Sequence, residues 1–280
     1  MSCQRLIDSQ EFHAVVRKCR EFFESRGFVE VHTQNRLSIL AACEDPETIA
    51  TYTYGGQVWP LPQTGQMWLE YELLKNPEPP GYFCLSTSYR NEPQPVEGRH
   101  EKIFPMFEFE IKGGLDALLQ MERDLLAHLG FGAAESFPAG DYVDVAKGYN
   151  VEILENEHEE QLNKDHGPVF LLKMFPNNTS PFWNMKQSET QPGKANKVDV
   201  IMHGMETIGS AERSTSSEEM REQFYKISDG GYAKILFANF TKERVEADLE
   251  QFLQHKFFPR SGGGIGVTRL MRAMKLSNLI

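Results

Sequence analysis

The sequence predicts an α+β fold: a mainly antiparallel β-sheet flanked by helices. Three observations carry that expectation. Strand-like runs come in pairs joined by polar, turn-rich stretches, as in hairpins. Strands outnumber regular β–α alternations, which argues against a doubly wound parallel sheet. Amphipathic helices stand at the start, middle and end of the chain instead of following each strand.

The first element is a helix from about Ser9 to Arg26. Asp8 and Glu11 make a capping box, Phe12, Val15, Val16, Cys19, Phe22 and Phe23 form one apolar face, and Gly27 ends it. FVEVHT, Phe28–Thr33, alternates as a strand. Tyr82–Tyr89 and Ile103–Lys112 are two more strands, joined by the polar arm RNEPQPVEGRHEK in an antiparallel hairpin. LDALLQMERDLLAHLG follows as a helix ending at Gly130. Pro168–Phe175 and Lys197–Ile208 are strand-like runs. Ser216–Ile227, with a Ser216/Glu219 capping box, and Thr241–His255 are helical, and a glycine run leads into a helix over Val267–Lys275.

A chain of 280 residues is long enough to bury a sizeable core as one large domain. The net charge of −11 provides no global attraction to nucleic acid or anionic lipid. The four cysteines, Cys3, Cys19, Cys43 and Cys84, show no CxxC pairing, against a structural zinc site or a disulfide framework. The opening residues lack a basic and then apolar leader, and no apolar run reaches membrane-spanning length. A cytoplasmic setting follows, in which the sequons at Asn177 and Asn178 are chance.

Three groups of residues point to chemistry. A hairpin brings Arg90 and Glu92, just past one strand, towards Arg99 and His100, just before its partner. Two guanidiniums, an imidazole and a carboxylate around one point suit a polyphosphate or a carboxylate under attack, or else a solvated loop with surface ion pairs. Asp199 and Glu206 each stand near an end of the run KVDVIMHGMETI. Such a pair beside a polyphosphate is what Mg²⁺ takes, and strand-end surface carboxylates are the alternative. Third is SGGGIGVTRLMRAMK, Ser261–Lys275. It fails as a dinucleotide fingerprint, since no acidic residue follows it, and it lacks the GK[ST] ending of a P-loop.

In this order the segments resemble the catalytic core of class II aminoacyl-tRNA synthetases, in the aspartate/asparagine/lysine subgroup. GFVEVHT resembles the end of the first motif, and PQTGQMWLE the asparaginyl-type SGQLYLE stretch. SYRNE with GRHEKIFPMFEFE resembles the second motif, and GPVFLLKMFPNNTSPFWNMK the run to the family's PFY. DVIMHGMETIGSAER resembles its Asp…Gly-x-Glu…Arg stretch, and PRSGGGIGVTRLM its third motif. The resemblance implies a class II synthetase-like catalytic domain that forms an aminoacyl-adenylate from ATP with Mg²⁺.

It also implies roles. Arg90 would hold the α-phosphate and the attacked carboxylate, Glu92 would read the adenine amino group, Arg99 and His100 would face the outer phosphates, and Phe104 would stack on adenine. Asp199 and Glu206 match the magnesium carboxylates, and Arg269 the arginine on the γ-phosphate, with the glycines letting the strand pass beneath the nucleotide. Arg90 and Arg269 are the catalytic pair. Gln66, Glu70 and Arg213 fall where the family reads the amino acid.

The chain departs from the pattern at four places. Gln34 replaces the first-motif proline, Glu212 the Gln before the substrate-reading Arg, and Thr268 an acidic residue before the third-motif Arg; Arg260 stands at a His-like position. GGGIG-x-x-R with a small hydroxyl residue before the Arg also resembles the ammonia-dependent asparagine synthetases. The first helix begins too early for the subgroup's anticodon-binding domain, so residues 1–280 are expected to be a single catalytic domain. The leading expectation is a stand-alone paralogue of the family, a homodimer that activates an Asp- or Asn-like amino acid and passes it to ammonia or a small amine. A minimal tRNA-charging enzyme and a silent amino-acid or nucleotide sensor are the alternatives; tRNA is not favoured, and no membrane partner is expected.

Overall fold

The computed structural model describes residues 6–34, 37–39, 48–93, 95–99, 101–179 and 182–280. The helix α1 (Ser9–Ser25) begins where Asp8 accepts the N–H groups of Gln10 and Glu11, at 2.9 and 3.0 Å. Glu11 does not return the bond of a capping box; its carboxylate meets Lys275 at 2.7 Å and ties the first helix to the last. The strand expected over 28–33 is reduced to β1 (Val29–Glu30), parallel to β4 (Gly81–Tyr89) at the sheet edge. A separate exposed hairpin, β2 (Thr51–Tyr54) and β3 (Gln57–Pro60), precedes α2 (Gln66–Lys75).

β4 and β5 (Ile103–Lys112) form the expected antiparallel pair, and α3 (Leu115–Leu129) ends at a left-handed Gly130. Next come β6 (Ala139–Asp141), α4 (Tyr142–Gly148), α5 (Asn156–His166) and β7 (Val169–Pro176). The run 197–208 is not one strand. It folds into β8 (Lys194–Met202) and β9 (Glu206–Arg213), an antiparallel pair turning at His203 and Gly204, whose φ values are +48° and +73°. A Cβ at Gly204 would lie 2.9 Å from the Glu160 backbone, so α5 packs directly on this turn.

The helix expected over 216–227 is α6 (Ser217–Lys226). Left-handed Ser228 and Asp229 break the chain before α7 (Gly231–Phe240). α8 (Lys242–Leu253), β10 (Arg260–Gly266) and α9 (Val267–Leu276) complete the fold.

The main sheet has eight strands in the order β1-β4-β5-β10-β9-β8-β7-β6. The pairs among β4, β5, β10, β9, β8 and β7 are all antiparallel, and only the edge pairs β1–β4 and β6–β7 are parallel. One face is apolar: Phe83, Phe107, Phe109, Ile265, Ile208, Val198 and Val200 pack with α1, α3 and α9 in the largest core cluster. Facing side chains in register share a side of the sheet, so the alternate residues belong to the opposite face. α2 packs against β4 and β5 on that face, and α6, α7 and α8 make a second core around Trp183, Phe224 and Phe252.

Candidate active site

The register brings the candidate residues to that second face. Across β4, β5, β10, β9 and β8 the pairs run Ser88–Phe104, Cys84–Glu108, Glu110–Gly262, Glu108–Gly264, Arg260–Arg213, Gly264–Gly209 and Gly209–Asp199. The glycines of β10 are required by what lies on them. A Cβ at Gly262 would stand 1.8 Å from the Glu110 carboxylate, and one at Gly264 would stand 2.4 Å from the Met106 methyl. The bare strand thus admits side chains of its neighbour β5.

At one end lies a closed cluster of charges. Gln66, Glu70, Glu110, Arg213 and Arg260 are all buried. Arg260 clasps one Glu70 oxygen through Nε and Nη2, at 3.0 and 2.7 Å, and donates Nη1 to the Ser214 carbonyl at 3.1 Å. The other Glu70 oxygen accepts the Asn184 amide at 2.7 Å and lies 3.6 Å from Arg213 Nε. Arg213 donates to both oxygens of Glu110, at 3.3 and 3.2 Å, and to the Gln66 carbonyl. The Gln66 amide donates in turn to the Gly263 carbonyl at 2.8 Å. Burial pushes the Glu110 carboxyl up, against the pull of Arg213.

Beside this cluster Glu108 accepts the Gly65 N–H at 2.8 Å and the hydroxyls of Thr64 and Ser86, with the Cys84 thiol at 3.8 Å. Glu108 is buried, and burial raises its pKa despite these donors.

At the other end the arm and α9 meet. The Arg90 guanidinium sits 5.7 Å from the centre of the Phe104 ring. Glu92 is half-buried in the arm, and His100 lies outside the described residues. Arg99 turns away to α5, pairing with Glu159 at 2.5 Å and donating to the Gly204 carbonyl at 3.2 Å. Arg269 donates to the backbone carbonyls of Glu206, at 2.7 Å, and Arg99, at 3.1 Å. The Glu206 N–H returns to Glu159 at 3.1 Å, closing a ring that joins the arm, α5, β9 and α9.

Asp199 and Glu206 converge over Gly209, where a Cβ would stand 3.6 Å from Asp199 Oδ1 and 2.8 Å from Glu206 Oε1. Asp199 Oδ2 is held by the buried Lys197 at 2.5 Å, whereas Oδ1 is buried and meets no donor among the described residues. Burial raises the Asp199 pKa, with Lys197 opposing and Glu206 reinforcing. A buried carboxylate oxygen without a donor, beside a second carboxylate in a cradle that a side chain would fill, fits a hard divalent cation. Two protein oxygens are enough for Mg²⁺ when phosphates supply the rest.

The departures now have places. Glu212 points to the opposite face, where it accepts the Leu115 N–H at 3.0 Å and the Asn196 amide at 2.8 Å, capping α3. Thr268 is half-buried in the first turn of α9, and Gln34 is exposed beyond β1. Glu108, Glu110, Glu159 and Arg260 are site residues that motif reading left without roles. Glu108 and Glu110 were readable: acids alternating with Phe107 and Phe109 in a strand put two carboxylates on one face. Glu159 sits in a polar helix with no spacing that links it to the site.

No curated protein matches the chain in sequence. Among solved structures it resembles asparaginyl-tRNA synthetase from Pyrococcus horikoshii complexed with asparaginyl-adenylate. That match has a TM-score of 0.76 and 18% identity, over 94% of this chain and 64% of the other. The Entamoeba histolytica asparaginyl-tRNA synthetase in complex with asparaginyl-adenylate gives 0.74 and 19%, over 95% and 63%. The chain therefore spans less than two thirds of these relatives' length. The family model for class II tRNA synthetases (D, K and N) matches residues 9–280, and the chain belongs to that family.

Proposed function

We propose that the protein activates an Asp- or Asn-like amino acid with ATP and passes the acyl group to ammonia or a small amine. The observation that carries this is the single sheet face on which a buried acid–arginine cluster adjoins an arginine–carboxylate corner. An amino-acid carboxylate oxygen attacks the α-phosphorus, the bond to the bridging oxygen breaks, and pyrophosphate leaves. The amine then attacks the acyl carbon and AMP departs. No side-chain nucleophile is needed, so catalysis is positioning and charge stabilisation.

In this reading Arg90 neutralises the α-phosphate, and Arg90 and Phe104 flank the nucleotide. Arg269 grips the outer phosphates, with Arg99 turning from Glu159 to join it. Asp199 and Glu206 would hold Mg²⁺, which when bound screens charge on the departing pyrophosphate. Glu92 and His100 keep their roles at the adenine and the outer phosphates, while Gln66, Glu70 and Arg213 receive the amino acid. We also read the protein as a cytoplasmic homodimer.

Amino-acid-dependent ATP–pyrophosphate exchange tests the first half-reaction; absence of exchange across a full amino-acid panel would overturn it. Label passing to ammonium or small amines, and not to total tRNA, is the expected second half-reaction. Net charge −11 favours that acceptor over tRNA.

A further inference from the structure

We infer that Lys197 is a positioning residue. Its ammonium takes one oxygen of Asp199 and cancels that charge, so the corner captures a divalent cation only together with the nucleotide's phosphates. The inference rests on the reading that Asp199 and Glu206 receive the ion.

The strands place Lys197 there. Residues 195, 197 and 199 of β8 share one face, on which Lys197 lies opposite Ala211 and Asp199 opposite Gly209. A small residue and a glycine on β9 leave space for a long side chain. On the other side β7 is bulged at Met174, whose φ is +60°, and resumes with Phe175 opposite Ala195. The bulge turns the Phe175 ring onto the Lys197 face, with its centre 3.8 Å from Nζ. Lys197 is buried, its ammonium fixed between this ring and Asp199 Oδ2, 2.5 Å away.

A buried ion pair adds little to stability over apolar residues of the same volume. Its effect is on what Asp199 can bind. With Oδ2 taken, a cation is offered Oδ1 alone, which shuts out the two-oxygen grip that Ca²⁺ accepts and suits the one-oxygen ligation of Mg²⁺. Charge points the same way. Glu206 and Glu159 both act on Asp199 across the corner. Arg99 answers Glu159 and Lys197 answers Asp199. Among the described residues, that leaves Glu206 as the corner carboxylate without an ion pair. One uncancelled carboxylate beside a fixed ammonium holds a divalent ion weakly, and phosphates bring the missing negative charge.

The test is Mn²⁺ binding to the nucleotide-free full chain at pH 8, read from the electron paramagnetic resonance signal of the free ion. The unaltered protein should bind with a Kd weaker than about 1 mM. Lys197→Gln keeps a donor without the charge and should bind ~10-fold or more tighter, whereas Lys197→Arg should match the unaltered protein. Asp199→Asn/Lys197→Gln should lose the gain. By calorimetry, the unaltered protein should bind α,β-methylene-ATP ~10-fold or more tighter with Mn²⁺ than without. A tighter Mn²⁺ site in the nucleotide-free unaltered protein would overturn the inference, whether or not the variants fold. So would a folded Lys197→Gln with unchanged affinity, a gain that survives in the double variant, or nucleotide binding indifferent to Mn²⁺. No turnover enters these readouts, so absent pyrophosphate exchange would sink the adenylation reading alone.

Discussion

Gly262 and Gly266 occupy one strand but answer to different neighbours. An alanine Cβ at 262 would lie 1.8 Å from the Glu110 carboxylate and 2.5 Å from the Phe109 carbonyl, and backbone cannot yield cheaply. Gly262→Ala is expected to cost about 3 kcal/mol in urea unfolding. At Gly266 the nearest atom is Arg269 Cδ at 3.5 Å, an ordinary contact, so Gly266→Ala should cost under ~1 kcal/mol. Arg269 fixes two backbone carbonyls with its guanidinium and so presents a formed corner, which the proposed function places at the outer phosphates. Arg269→Ala should lower exchange by about 10²–10³ while the protein stays folded, as read by circular dichroism. Near-normal exchange would remove Arg269 from the phosphate grip. Candidate residues could be named from motifs one by one, but their partners could not: nothing in the spacing pairs Glu70 with Arg260, 190 positions away.

Among the elements, those with a clean period were readable and those without were missed. α1, α3 and α9 each have one apolar stripe, and all three were placed to within a residue or two. α2 buries Gln66 and Glu70 along with Met67, Leu69, Leu73 and Leu74, so polar residues interrupt its apolar pattern. The β8–β9 turn stayed hidden because apolar residues flank His203 and Gly204 closely on both sides, so the two strands read as one run. α3 also explains Glu212, whose carboxylate receives the first N–H of the helix from a strand far from it in sequence. Glu212→Ala should destabilise the fold by about 1 kcal/mol, the usual cost of losing a cap, measured as a lowered denaturant midpoint. A change in amino-acid preference with no loss of stability would contradict the capping role.

Over the whole molecule, buried carboxyls set the response to pH. Burial raises the pKa values of Glu108, Glu110, Asp199 and Glu159, and pushes Glu122 up to about 8 against an ordinary 4.5. Such groups hold more protons folded than unfolded, so their contribution is complete below the unfolded pKa and is lost as pH rises through the folded one. For Glu122 that window runs from 4.5 to about 8. The unfolding free energy from urea titration should therefore fall between pH 5 and 9 by an amount on the order of 4 kcal/mol, and Glu122→Gln should flatten the fall. A fall of the same size in the variant would remove Glu122 as its source. The strand order has a consequence of another kind. In the sheet β5 and β9 are joined through β10, so the glycine-rich strand is the seam between two sets of hairpins. Glycine is a weak strand former, and both of its partners are distant in sequence, so closing that seam is an entropically slow event. The two halves can assemble early, but the arginine corner and the acid–arginine cluster come into being together, when the last strand slides between them. Under the proposed function, a nucleotide and amino acid spanning the seam would act as a clasp, holding that joint shut.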